Sequence, residues 1–308
     1  MKRKITSKFS VKDITVCVCT FNRWESLLKT LNSIINQTAG IPKIIIVDDH
    51  SNKKIPKKIL NFISRFENIS YIRHSKNLGL ASARNTGINN TKTEFFTFLD
   101  DDDEWNLNYL EISLSKLNLN KKSEIFLCYK NTKYKLLEKN INGIKNLKNF
   151  FLKGFCPPVG MQIYKTKILL KANGYNQAIK SGVDLDLWIR LLKSNPKVKI
   201  FWGNYIYVGK SQKERITTNE SIRIRESQNS LKLWKNDLIR FRSLTFYNKY
   251  YSEYMLHIKA GFLSQNLKNM KFKGALMNNF NLEVFFRLVF NFIKHRLLGY
   301  NGNPTLRL

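Results

Sequence analysis

The chain has 308 residues, 43% of them apolar, which excludes a disordered basic tail and supplies one large core or a core with an appendage. Its 53 Lys and Arg outnumber 22 Asp and Glu, a formal charge of +31, and residues 227–308 hold 13 basic and 3 acidic residues against 40 and 19 before them, so no detachable basic arm exists. The excess reads as a surface for anionic partners (phosphates, nucleic acid or acidic lipids) or as compositional bias.

In chain order, ITVCVCT (14–20) is a buried strand, and Trp24 to Gln37 is a helix with Leu27, Leu28, Leu31, Ile34 and Ile35 on one stripe. PKIIIVDD (42–49) is a second β-branched run that ends in two carboxylates. Residues 56–66 have a helical period, ISYIRH (69–74) is strand-like, and Ala81 to Asn90 reads as a helix leading into the strand EFFTFLD (94–100). This alternation predicts an α/β domain with a mainly parallel sheet, whose ligands bind at the carboxyl ends of the strands. Further on, 107–119 is helical, EIFLCYK (124–130) is a strand and 143–153 is a short helix before the rigid GFCPPVG (154–160). VDLDLWIRLLK (183–193) is a helix with acids in its first turn, where the helix dipole favours them. After about residue 215 the pattern is only helical, with aromatic-rich and Lys-rich segments such as 246–263 and 282–298.

Four clusters at the predicted strand and helix ends can carry chemistry. FLDDDDEW (98–105) sets four aspartates directly after an apolar strand. Adjacent like charges repel, and a divalent cation such as Mg²⁺ or Mn²⁺, shared with a diphosphate, would compensate them; the alternative is a solvated acidic turn. In VDDHS (47–51) a carboxylate can accept from a nucleobase N–H or a ribose hydroxyl, or it closes an Asx-turn. NLGLASARNTG (77–87) starts a helix close to a neighbouring backbone, with Arg84 able to bind phosphate and Asn85 able to bridge loops, or with Arg84 merely on the surface. In GVDLDLW, Asp184 and Asp186 point about 200° apart on a helix, so one faces a cleft and the other caps the helix or meets solvent, unless both are caps.

Cysteines 17, 19, 128 and 156 show no C-x-x-C pair and no zinc spacing, and are expected as buried thiols of a reducing compartment. The basic start MKRKITSKFSVKD precedes only a short apolar strand, not a signal-peptide core, and no uncharged apolar run reaches about 18 residues. A soluble or peripheral protein inside the cell is the expectation. G-x-S-x-G, G-x-G-x-x-G and P-loop motifs are missing, which disfavours a serine hydrolase, a Rossmann dehydrogenase and a P-loop enzyme.

In this order and spacing the four clusters resemble the family 2 glycosyltransferases, which have the GT-A fold, over about residues 13–210. The resemblance implies a Rossmann-like, mainly parallel central sheet with a C-terminal helical extension. VCVCTFNR (16–23) is similar to the first strand and nucleoside loop, with Thr20, Phe21 and Arg23 around the base, and in VDDHS Asp49 would accept a hydrogen bond from that base. NLGLASARN places Arg84 near the nucleotide. FLDDDDEW matches the D-x-D element, with Asp100 and Asp101 near the ribose and diphosphate and Asp102 the principal ligand of Mn²⁺ or Mg²⁺. NGYNQAIKSGVDLDLWIRL (173–191) resembles the segment of the acceptor site and catalytic base, often an E-D pair. Val183 stands where the first acid would be, Asp184 matches the second and would be the base, and Asp186, Trp188 and Arg190 would contact the acceptor or support the site.

The implied enzyme is an inverting, metal-dependent hexosyltransferase. It would move a sugar from a nucleotide-sugar, expected to be a UDP-sugar, to a hydroxyl of a glycan or polyprenyl-diphosphate-linked saccharide in bacterial surface-polysaccharide synthesis. The expected domains are a catalytic 1–215, with nucleotide-sugar binding at about 13–105 and the acceptor and base region at about 106–215, and a helical 216–308. Basic and apolar helices such as 282–298, with Phe285, Phe286, Leu288, Val289 and Phe292, would hold the enzyme peripherally on the inner face of the cell membrane, or pack on the catalytic domain. A nucleic-acid-binding protein is the rival suggested by charge, but acids at three element ends would repel phosphodiesters. A nucleotidyltransferase would need a Gly-rich loop after the first strand, and CTFNRWE has no glycine.

Overall fold

The computed structural model describes residues 8–129, 158–180, 182–209 and 220–241, with 247–248, 251–252 and 255. The expected helices at 143–153 and 282–298, most of 246–263, the start of GFCPPVG and Cys156 lie outside the described residues. Two compact units divide the chain: Met1–Leu147 with Cys156–Ala178 and Val183–Gln212, and Lys148–Phe155 with Ile179–Gly182 and Lys213–Leu308. In the second, helix α7 (Glu220–Phe241) buries Ser227, Leu231, Trp234 and Leu238 at helical spacing.

The first unit alternates as its apolar runs require: β1 (Ile14–Thr20), α1 (Trp24–Ile35), β2 (Lys43–Asp48), α2 (Lys57–Ile63), β3 (Ile69–Arg73), α3 (Leu80–Asn89) and β4 (Phe95–Phe98). There follow β5 (Glu104–Trp105), α4 (Tyr109–Leu119), β6 (Ile125–Tyr129), β7 (Gln162–Lys165), α5 (Thr166–Lys171), α6 (Val183–Lys193), β8 (Val198–Trp202) and β9 (Ile206–Tyr207). Among the described residues seven strands form one sheet in the order β3-β2-β1-β4-β7-β6-β8, and β5 pairs with β9 separately. β7 runs antiparallel to both of its neighbours, β4 and β6, while β1–β2, β1–β4, β2–β3 and β6–β8 are parallel. The mainly parallel sheet therefore has one reversed strand.

Continuous burial of β1, β2 and β4 on both faces explains why those runs do not alternate with polar residues. On one face Ile14, Val16, Val18, Ile44 and Ile46 cluster with Leu27, Leu31 and Ile34 of α1, each helix side chain contributing roughly 1.5–3 kcal/mol. Leu28 and Ile35, expected on that stripe, are only half-buried, and Trp24 and Thr30 take their share of the covered face. On the opposite face α3 comes so close that a Cβ on Gly87 would sit 2.3 Å from Cys17 Sγ. Cys17 and Cys128 are buried free thiols, burial pushing Cys128 up to about 12, whereas Cys19 is only half-buried. Among the described residues no helix is long and apolar enough to cross a membrane.

Chain order reverses at β1: β2 and β3 add on one side and β4 on the other. Such a switch opens a crevice beyond the carboxyl ends of the strands. Thr20, Asp48 and the residues after Phe98 stand at those ends.

Candidate active site

The loop after β1 and the loop after β2 are stitched together. Asn22, in the left-handed region at φ 59°, donates its backbone N–H to Ser51 Oγ at 2.8 Å, and its side-chain oxygen accepts from the backbone of Asn52 at 2.8 Å. Thr20 is buried just before this turn and Phe21 is exposed. Asp48 is wholly buried and accepts from Ser51 N at 2.8 Å and Tyr71 OH at 2.8 Å, and from Arg73. Burial pushes its carboxyl up, but the Ser51, Tyr71 and Arg73 donors outweigh burial and hold it below the ordinary value.

Asp49 binds the other side of the crevice. Oδ1 faces His74 Nδ1 and accepts from Leu78 N, both at 2.8 Å, and Oδ2 accepts from Gly79 N at 2.7 Å. Gly79, at φ 87°, makes the turn that presents these amides ahead of α3. His74 Nε2 lies 2.8 Å from Thr86 Oγ1, so the imidazole links Asp49 to α3. A carboxylate offers about four lone-pair sites, of which these contacts engage three.

The four aspartates after β4 do not stand uncompensated, contrary to the sequence argument. Arg23 Nη1 lies 2.9 Å from Asp101 and 3.4 Å from Asp102, Arg84 Nη2 lies 3.2 Å from Asp100, and Asp103 accepts from Gly209 N at 3.0 Å. Burial raises Asp101 to about 6 against the pull of Arg23. Asp100 is also raised, first by the protein packed round it and then by Asp184 and Asp102, although its side chain remains 46% exposed and Arg84 opposes the shift. Among the described residues no three His, Cys, Asp or Glu side chains converge to close a metal site by themselves.

Arg84 is not on the surface. It is 3% exposed, with Nη1 on Asp184 Oδ1 at 2.7 Å and its guanidinium 5.0 Å from the ring centre of Tyr175 and 5.4 Å from that of Phe98. Two carboxylates and two aromatic faces make burial of this charge tolerable. Arg84 thus joins the aspartate run to Asp184, whose side chain is 45% exposed.

Two positions on, Asp186 is 4% exposed and withdrawn from solvent. It pairs with Arg190, whose Nε donates at 2.8 Å and whose Nη1 donates to the carbonyls of Ala172 and Gly174. Trp188 is also buried, donating to Gln162 Oε1 at 3.1 Å, so Asp186, Trp188 and Arg190 all make contacts inside the protein. Asp186→Ala is expected to cost about 3 kcal/mol, because Arg190 loses its countercharge. A lowered denaturation midpoint with an unchanged rate per folded molecule is the measurable result.

The aspartates, Arg23, Arg84 and Asp184 converge at the switch point, and a family match spans all of these but Asp184. The model of "Glycosyl transferase family 2" matches residues 15–169. The chain belongs to glycosyl transferase family 2. An uncharacterised glycosyltransferase of Rickettsia bellii is 27% identical over 190 residues, 59% of this chain and 26% of that protein. The chain spans no more than 30% of the length of this and the next two curated relatives. The poly(ribitol-phosphate) β-N-acetylglucosaminyltransferase TarP of Staphylococcus aureus is 39% identical over 97 residues, 30% of this chain and 29% of that one. In fold, this family 2 chain is similar to S. aureus TarS residues 1–349, solved with UDP-GlcNAc, at a TM-score of 0.58 and 18% identity, covering 91% of this chain and 80% of that one. The fold is therefore GT-A, with β7 as its reversed strand.

Sequence reasoning overlooked Asn22, Ser51, His74 and Tyr175. Asn22 carried a signal, since Asn tolerates positive φ in a turn after a strand. Tyr175 follows a glycine in NGYN, which marks a turn but says nothing about its partner Asp184.

Proposed function

We propose that this protein is an inverting, metal-dependent glycosyltransferase that moves a sugar from a UDP-sugar to a hydroxyl of a glycan or lipid-linked saccharide. The observation that carries the reading is Asp184, a half-exposed carboxylate tied through Arg84 to the aspartate run. An acceptor hydroxyl, with a pKa far above 7, must lose its proton as it attacks the anomeric carbon, and Asp184 takes it. Attack opposite the leaving group inverts the anomeric centre. Asp49 keeps a lone pair for the base N–H, and Thr20, Phe21 and Arg23 flank the base. Asp100 and Asp101 lie on the side of the ribose and diphosphate, where Arg84, a fork of five donors, adds positive charge as the diphosphate leaves.

Mn²⁺ or Mg²⁺ fits this donor set. Hard ions of this kind are commonly held through one or two carboxylates with substrate phosphates, which agrees with the lack of a closed protein cage among the described residues. Asp102 would hold the ion, which supplies charge stabilisation to the leaving diphosphate.

Identity to TarP and fold similarity to a UDP-GlcNAc complex support UDP-GlcNAc as the first donor to test and a bacterial surface polymer as the acceptor class. The catalytic domain is assigned to residues 1–215 and the helical extension to 216–308. The experiment is a screen of UDP-GlcNAc, UDP-glucose and GDP-mannose for release of the nucleoside diphosphate with and without Mn²⁺. Metal-dependent turnover of a UDP-sugar is expected; neither turnover nor binding of any of them would overturn the reading.

The net charge of +31 further supports a peripheral place on the cytoplasmic face of the cell membrane. Binding of the full chain to anionic vesicles is expected to weaken as salt rises, because charge attraction is screened over about 8 Å at physiological ionic strength. Equal co-sedimentation with neutral and anionic vesicles, or none with either, overturns the membrane assignment.

A further inference from the structure

We propose that Tyr175 is the positioning residue of Asp184, its hydroxyl holding the carboxylate in the one orientation that takes the acceptor's proton. The inference rests on the role given to Asp184 above. Tyr175 itself is 2% exposed and cannot touch a substrate.

Its hydroxyl donates to Asp184 Oδ1 at 3.1 Å, the same oxygen that Arg84 Nη1 reaches at 2.7 Å. Two donors on one oxygen fix the side-chain torsion of a carboxylate whose surface is otherwise half open, and they leave proton transfer to Oδ2. Burial holds the phenol well above its ordinary pKa, reinforced by Asp184 and opposed by Arg84, so the hydroxyl keeps its hydrogen to donate.

Tyr175 is in turn fixed more firmly than packing alone requires. The Asn85 side chain clamps both of its backbone groups: Oδ1 accepts from Tyr175 N at 2.6 Å, and Nδ2 donates to Tyr175 O at 2.8 Å. Gly174, at φ 58°, makes the clamp feasible, since a Cβ there would lie 2.3 Å from Asn85 Oδ1. The ring stands edge-on to Phe98 at 5.6 Å and carries the Arg84 guanidinium on its face. Asn85 and Arg84 are neighbours on α3, so one helix holds the tyrosine by its backbone and the carboxylate by its charge. Positional errors well under an ångström matter for a base acting on a bound nucleophile, which gives such a device a purpose.

The test uses Tyr175→Phe, which keeps the ring and removes only the hydroxyl. With UDP-GlcNAc and Mn²⁺, kcat for UDP release is expected to fall about tenfold, with KM and UDP affinity within about twofold of wild type. An unchanged kcat overturns the proposal, as does a loss that appears only in KM or UDP affinity. A second measurement needs no turnover: melting temperatures of Tyr175→Phe, Asp184→Ala and the double variant. Non-additive shifts support the contact, and additive ones overturn it. Should the wild type neither turn over nor bind any of the three donors while the shifts are non-additive, the proposed function fails and the hold of Tyr175 on Asp184 stands.

Discussion

Asp184→Asn is expected to slow sugar transfer by about 10²–10⁴-fold, the ordinary worth of a positioned general base, while the protein still folds and binds its donor. The amide keeps Oδ1 as an acceptor, so Arg84 and Tyr175 retain their hydrogen bonds, and Arg84 retains Asp100 as countercharge. Only the ionic part of the Arg84 contact is lost, at a half-exposed side chain where screening limits it to about 1 kcal/mol. The measurement is kcat for UDP release beside UDP affinity and the denaturation midpoint. Asp186→Asn provides the contrast, because it weakens a buried pair that holds α6 to the 172–174 turn and touches no reacting atom. If Asp186→Asn is inactive at full stability and Asp184→Asn retains its rate, the base has been misassigned between the two acids.

The parts of this molecule legible in its sequence are those that local pattern controls. β1, β2 and β4 are unbroken apolar runs because both faces of the sheet are covered, and α1 and α6 follow from their 3.6-residue stripes, whereas α5, with six residues, is too short to show one. β7 and β8 escaped notice because each spends a position on a polar residue. β7 spends a buried position on Gln162, a polar residue that serves Trp188 and Tyr164, and β8 places Lys199 inside a short run. β5 and β9 have two residues each, too few for any period.

At the site, the aspartates announced themselves by standing where strands end. What neutralises them did not, since Arg23 meets Asp101 across 78 residues and Arg84 meets Asp184 across 100. The charge argument from a run of four acids was therefore incomplete, because it left out the protein's own cations. Two arginines share the compensation, and the side chains of Asp100 and Asp184 stay nearly half exposed.

Asp102→Ala follows from the same distribution of charge and is expected to lower metal-dependent UDP release by about 10²-fold or more, the scale on which a lost electrostatic contact to a leaving group is felt. Stability should change little, because Arg23 lies closer to Asp101, at 2.9 Å, than to Asp102, at 3.4 Å, and keeps that partner. The decisive readout is calorimetric rather than kinetic. Mn²⁺ should tighten UDP binding to the wild type and leave the affinity of Asp102→Ala where it stands without metal, since diphosphate oxygens and Asp102 would complete each other's coordination of the ion. Removal of metal with excess EDTA should reduce the wild type to the level of the variant. Full wild-type activity in the chelator would mean that Arg23 and Arg84 carry the diphosphate charge unaided, and Asp102 would then have no part in holding a metal.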